Sequence, residues 1–177
     1  MIRSREVYRE IREILAPWCK THGFKRVKSG LLGWYKPVRD EWCLFWFQCS
    51  EWGWNDLTGS EFTVEFLLSA APVIGPAVKH KRLLQLMDDA PLEQARQIQN
   101  RVIASLRLPP KDHPMFRISP QITKWYLSMF QPITPQTMNP NQLWFRYYTV
   151  EDIRRWATFI LAHLPGALKS FAPDLDL

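Results

Sequence analysis

SEFTVEFLLS, residues 60–69, decides the class of the fold, because its polar and apolar side chains alternate from Glu61 to Phe66. Phe62, Val64, Phe66 and Leu68 fall on one side and Glu61, Thr63 and Glu65 on the other. Successive side chains of a strand point to opposite faces, so this pattern predicts an antiparallel sheet with one covered and one open face. The preceding apolar run, 42–50, divides the same way. Cys43, Phe45, Phe47 and Cys49 form one side, and Trp42, Leu44, Trp46, Gln48 and Ser50 form the other. Both of its sides are rich in apolar groups, so the Phe/Cys side is expected to meet the core. The Trp42, Trp46 and Gln48 side then shares the outer face with Thr63 and Glu65. Such a face is either roofed by a later segment or used to bind a partner.

Two further strands are expected at 30–37, stopped by Pro37, and at 143–148, whose sides are Leu143, Phe145, Tyr147 and Trp144, Arg146, Tyr148. "VRDE" reads as the turn between the strands at 30–37 and 42–50. Residues 4–21 place Val7, Tyr8, Ile11, Ile14, Leu15, Trp18 and Cys19 at helical spacing, with Ser4 as the expected cap and Gly23 as the stop. A final helix is expected after Thr149, with Asp152 at its third position, Ile153, Trp156, Ile160 and Leu164 as its stripe, and an interruption at Pro165. Between the sheet and that helix, 78–89 reads as a short helix and the stretch from Pro91 to Leu106 as a longer one. Residues 108–141 hold seven prolines but too much apolar surface to stay free in water, so they form an irregular crossing with a short helix at 121–130. The expectation is a single α+β domain over 1–177. Its antiparallel sheet of about four strands packs on N- and C-terminal helices, with a helical and Pro-rich insertion before the last strand.

The formal charge of +6 is unevenly placed: residues 1–40 carry ten Lys/Arg against four Asp/Glu, and the remainder is balanced. Arg3, Arg5, Arg9 and Arg12 on the first helix and Lys25, Arg26 and Lys28 in "GFKRVKSG" form a basic group that would attract phosphates or an acidic protein. A solvated helix face gives the same pattern. Three cysteines, odd in number and without CxxC spacing, predict reduced thiols, with neither a disulfide framework nor a metal site. Without a signal-peptide core or a long apolar run, a cytoplasmic protein with no membrane contact is expected, as a monomer or homodimer.

No nucleophile-and-base motif, HExxH, P-loop or GxGxxG occurs, so no catalytic residue and no cofactor are expected. His22, His80, His113 and His163 are scattered and read as structural or surface groups. Gln48, Glu65 and Arg146 each lie mid-strand among aromatics, and two readings follow. Glu65 and Arg146 pair across strands and close the surface, or the three orient a partner between Trp46 and Trp144. Trp52 and Trp54, in the loop 51–60, are either a lid over the core or interface anchors.

The segments "LAPWCKTHGFKRVKSGLLGWYK", "FWFQCS", "SEFTVEFLLS" and "LWFRYYTVEDIRRWATFILAHLPGAL" resemble an uncharacterised bacterial family, the domain-of-unknown-function group numbered 4304. The resemblance covers roughly residues 7–70 and 142–171 and implies an α+β domain; none of these motifs is catalytic, and no functional residue is carried over. The leading expectation is a non-enzymatic bacterial module that binds another protein through Trp46, Gln48, Glu65, Trp144, Arg146, Trp52 and Trp54. By fold-level analogy it would be toxin-neutralising or defence-associated. One alternative is nucleic-acid binding through Arg5, Arg9, Arg12, Lys25, Arg26 and Lys28. The other is a small-ligand or enzyme pocket built on Gln48, Glu65 and Arg146.

Overall fold

A computed structural model describes residues 1–28 and 30–177 and shows an α+β domain. Helix α1, Ser4–Thr21, is followed by strands β1 (Lys25–Arg26), β2 (Leu32–Val38), β3 (Glu41–Cys49), β4 (Ser60–Ser69) and β5 (Lys79–Arg82). A 3-10 turn at Leu83–Leu86, helix α2 (Asp89–Ser105), a second 3-10 turn at Pro114–Arg117 and helix α3 (Pro120–Ser128) lead to β6 (Phe145–Tyr147) and helix α4 (Val150–Phe171). The sheet is antiparallel in the order β1-β2-β3-β4-β5, and β6 pairs with the first residues of β4 on the edge that β5 occupies further along.

The alternation of β3 and β4 sets the core. Cys43, Phe45, Phe47, Phe62, Val64 and Phe66 are fully buried against Val7, Ile11 and Leu15 of α1 and Trp156, Ile160 and Leu164 of α4. The β3–β4 register aligns Phe45 with Phe66 and Phe47 with Val64, so the inner faces of the two strands form one apolar surface. Gly23, at φ +75°, ends α1: its N–H bonds to Lys20 O and the Phe24 N–H reaches back to Cys19 O, the paired bonds that close a helix over a left-handed residue.

Six strands form where about four were expected. The basic loop contributes β1, and 78–89 is not a helix: Lys79–Arg82 pairs with Glu65–Leu68 of β4, leaving only a 3-10 turn after it. The first helix is capped by Arg3 and not Ser4; the Arg3 N–H donates to Glu6 Oε2 at 2.8 Å. Pro165 does not interrupt α4, which continues to Phe171 because Ala167, Leu168 and Phe171 beyond it are buried. The last strand is shorter than 143–148.

The roof over the outer face has two parts. Ile74, from the turn after β4, packs on a second small cluster of Val27, Leu44, Trp46 and Leu67. The Pro-rich crossing covers the β5/β6 side, where Arg82 donates to Asn141 O at 3.0 Å and Arg146 to Met129 O at 2.6 Å. No helix among the described residues is long and apolar enough to cross a membrane.

Candidate functional site

On the outer face, Glu65 is the centre of a charged network whose other members come from β5. Its side chain is only 5% exposed; Oε1 accepts from Arg82 Nε at 3.0 Å. His80 Nε2 lies 2.8 Å from Oε2, close but without hydrogen-bond alignment. The β4–β5 register produces this arrangement, setting Arg82 directly opposite Glu65 and His80 opposite Leu67. Each of these two side chains also rests on a tryptophan. The His80 ring stacks on Trp46 with centroids 5.9 Å apart, and the Arg82 guanidinium lies 5.3 Å from the Trp144 ring. Trp46 can lie flat here because its cross-strand neighbour is Gly33, where a Cβ would come within 2.7 Å of Trp46 Cβ.

Trp46, Glu65 and Trp144 therefore do come together, through two residues the sequence reading did not assign to the sheet. A signal was present in "KHKR" after a Pro/Gly turn, where His80 and Arg82 stand two apart as on one face of a strand. Arg146 shares the face but does not meet Glu65. Its register partner is Glu61, with Nη2 4.0 Å from Glu61 Oε2, while Nη1 donates to Met129 O. Burial lowers the Arg146 pKa and raises that of Glu61, and the attraction between the two opposes both shifts without cancelling them. Gln48 is exposed on the same face, opposite Thr63. Glu65 is thus matched by Arg82 and Glu61 by Arg146, on a sheet face that is half roofed.

The loop 51–59 separates its two tryptophans. Trp54 turns inward, donating from Nε1 to Tyr148 O at 3.3 Å, and Tyr148 returns a hydrogen bond to Asp56 O at 2.9 Å. Trp52 is 87% exposed. The loop is held open in this shape by Asn55, whose Oδ1 accepts from the Leu57 and Thr58 N–H groups, and by paired backbone bonds between Asn55 and Gly59. Trp125 on α3, which sequence reasoning had not singled out, is 56% exposed. Loop and helix flank the same short strand, the loop through Tyr148 and α3 through the Met129 carbonyl on Arg146.

The basic residues are divided among roles. Arg9 is bonded to Glu10, which also accepts from Arg154 of α4 at 2.7 Å. Arg26 lies 5.0 Å from the Trp34 ring and donates to Gly33 O, with burial, then repulsion by Arg12, lowering its pKa. Arg5, Arg12, Lys25 and Lys28 are exposed on α1, on β1 and just after it. Two grooves lie away from the sheet face. One, of about 660 Å³, runs between α2 and α4 with Ile98 and Phe159 in its floor and Arg101, Arg154, Arg155 and Glu151 at its rim. The other, of about 550 Å³, lies along the 3-10 turn at Pro114–Arg117 and α3. No protein-family model matches the chain, and neither a curated protein nor a solved structure shows significant similarity to it.

Proposed function

We propose that this chain is a non-enzymatic protein-binding module anchored by its exposed tryptophans, Trp52 on the loop 51–59 and Trp125 on α3. The observation that carries this reading is the contrast among tryptophans. Those borne by strands are buried or half-buried, whereas Trp52 leaves 87% of its surface in water. A large, rigid aromatic side chain exposed on a bonded loop provides contact area at low entropic cost, which is the usual character of an interface anchor. Kinship with the domain-of-unknown-function group, a bacterial and cytoplasmic setting and a toxin-neutralising or defence-associated role belong to the same proposal and rest on the sequence alone. Trp46 has no place among the anchors: at 6% exposed it supports the fold, and Trp46→Ala is expected to cost about 3–5 kcal/mol of stability.

The test is co-purification from lysate of the organism of origin, with and without nuclease, comparing wild type with a Trp52→Ala/Trp125→Ala variant. Both sites are exposed, so the variant should unfold within about 0.5 kcal/mol of wild type. A protein partner recovered by wild type and lost by the variant supports the reading. A partner held equally by both, or recovery that disappears with nuclease, overturns it.

A further inference from the structure

Between Asp112 and Glu151 the chain contains no acidic residue, yet Arg117 and Lys124 stand in this stretch, both exposed. Neither forms an ion pair among the described residues. Both line the groove of about 550 Å³ beside α3, and no residue lining that groove is acidic. Its apolar wall is made by Phe116, Ile118 and Leu127; Ile118 is 58% and Leu127 38% exposed. The wall is firmly mounted. Tyr126, buried beneath α3, stacks on His113 at 5.2 Å and meets Phe116 and Phe130 edge-on, so the turn and helix form one unit. Ser119 caps the helix by accepting from Ile122 N at 3.2 Å, which fixes the angle between turn and helix.

We infer that this groove binds an acidic segment of another protein, with apolar side chains seated against Ile118 and Leu127 and carboxylates paired to Arg117 and Lys124. The inference rests on the protein-binding reading above and names the chemistry of the partner. Uncompensated positive charge around exposed aliphatic groups is complementary to an amphipathic acidic peptide, and charge at a rim sets choice of partner and association rate. A nucleic acid fits less well. Two cations neutralise few phosphates, and Phe116 is the one aromatic side chain lining the groove on which a base could stack.

A random peptide library displayed on phage, selected against the full chain, tests this. Enriched sequences should combine Asp or Glu with Leu, Ile, Phe or Trp. The best synthetic peptide should lose affinity about tenfold in Arg117→Glu/Lys124→Glu and in Ile118→Ser/Leu127→Ser, while Arg117→Lys retains it. Circular dichroism and thermal melting of each variant establish that it is folded. Enrichment without acidic residues, or peptides indifferent to all these variants, overturns the inference. So does a single-stranded oligodeoxythymidine that binds through Arg117 and Lys124 when no peptide does. Peptides lost by Trp52→Ala but kept by the groove variants would sink the groove and leave the broader reading standing.

Discussion

The thiols of Cys19 and Cys43 are 1% and 0% exposed, and burial pushes both up to about 12. Cys49, nearer the surface, is also raised by burial, against hydrogen bonding to Ser4 and Tyr8 that draws it down. In an unfolded chain a cysteine ionises near ~8.5. The folded protein therefore keeps protons that the unfolded chain releases, and stability should fall as pH rises from about 8.5 towards 12, the reverse of a salt-bridged carboxylate. Two outcomes are expected. Mass-mapped alkylation at pH 8 should leave Cys19 and Cys43 unmodified in native protein and label them fully in denaturant. Replacing both by Ala should lower stability at neutral pH and flatten its decline on the alkaline side. Rapid native alkylation of either residue would show that the inner face of the sheet is more open than its packing implies. The burial of Cys19 and Cys43 was legible from the helical spacing of 4–21 and the alternation of 42–50. The exposure of Trp52 was not, because Trp52 and Trp54 differ only in which one the Tyr148 carbonyl captures.

Individual elements show where local sequence suffices and where pairing decides. The start of α4 was readable because its chemistry is local. Thr149 Oγ1 accepts from Asp152 N at 3.2 Å, and Asp152 Oδ2 accepts from Tyr148 N, Thr149 N and Thr149 Oγ1 within 3.1 Å. Asp152 is 6% exposed, so these bonds are not readily replaced by water. Thr149→Ala is expected to cost about 1 kcal/mol and Asp152→Ala about 1–3 kcal/mol. Because the two residues share bonds, the double variant should cost less than the sum of the singles. Urea unfolding of the three proteins measures this, and strict additivity would mean that the box does not act as a unit. Strand β5 was unreadable for the opposite reason. Lys79–Arg82 has no apolar alternation of its own and is a strand because β4 offers it a backbone edge and Glu65 a charge. The same holds for β1, two basic residues paired with Trp34 and Tyr35. At Pro165 a single missing N–H is outweighed by the buried turn that follows, a tertiary gain that composition does not display.

Across the whole molecule, the sheet's covered and open faces were legible and the occupancy of the open face was not. The alternation in 60–69 placed Glu61, Thr63 and Glu65 outward correctly, but which cation reaches which carboxylate depends on strand order. With β5 and β6 sharing one edge of β4, Arg82 takes Glu65 and Arg146 is left to Glu61. Long-range closure is equally hidden at the other end of the chain. After α4 the backbone turns back and buries Leu175 completely, with Lys169 Nζ on Leu175 O at 2.6 Å. Lys36 of β2 donates to both His22 O and Asp176 O, and Arg39, at φ +51° in the β2–β3 turn, pairs with Asp174 at 2.8 Å. The segment thus joins α1, β2 and α4 in one cluster. Its apolar part should dominate: filling the Leu175 site accounts for about 2–4 kcal/mol, whereas the exposed Arg39–Asp174 pair contributes at most about 1 kcal/mol. Removing residues 173–177 is therefore expected to destabilise the fold by about 2–4 kcal/mol, Leu175→Ala to reproduce most of that loss, and Asp174→Ala almost none. Urea midpoints of the three variants separate these contributions. If truncation left the midpoint unchanged, or if Asp174→Ala matched it, the returning segment would be an adornment of the surface and not part of the core.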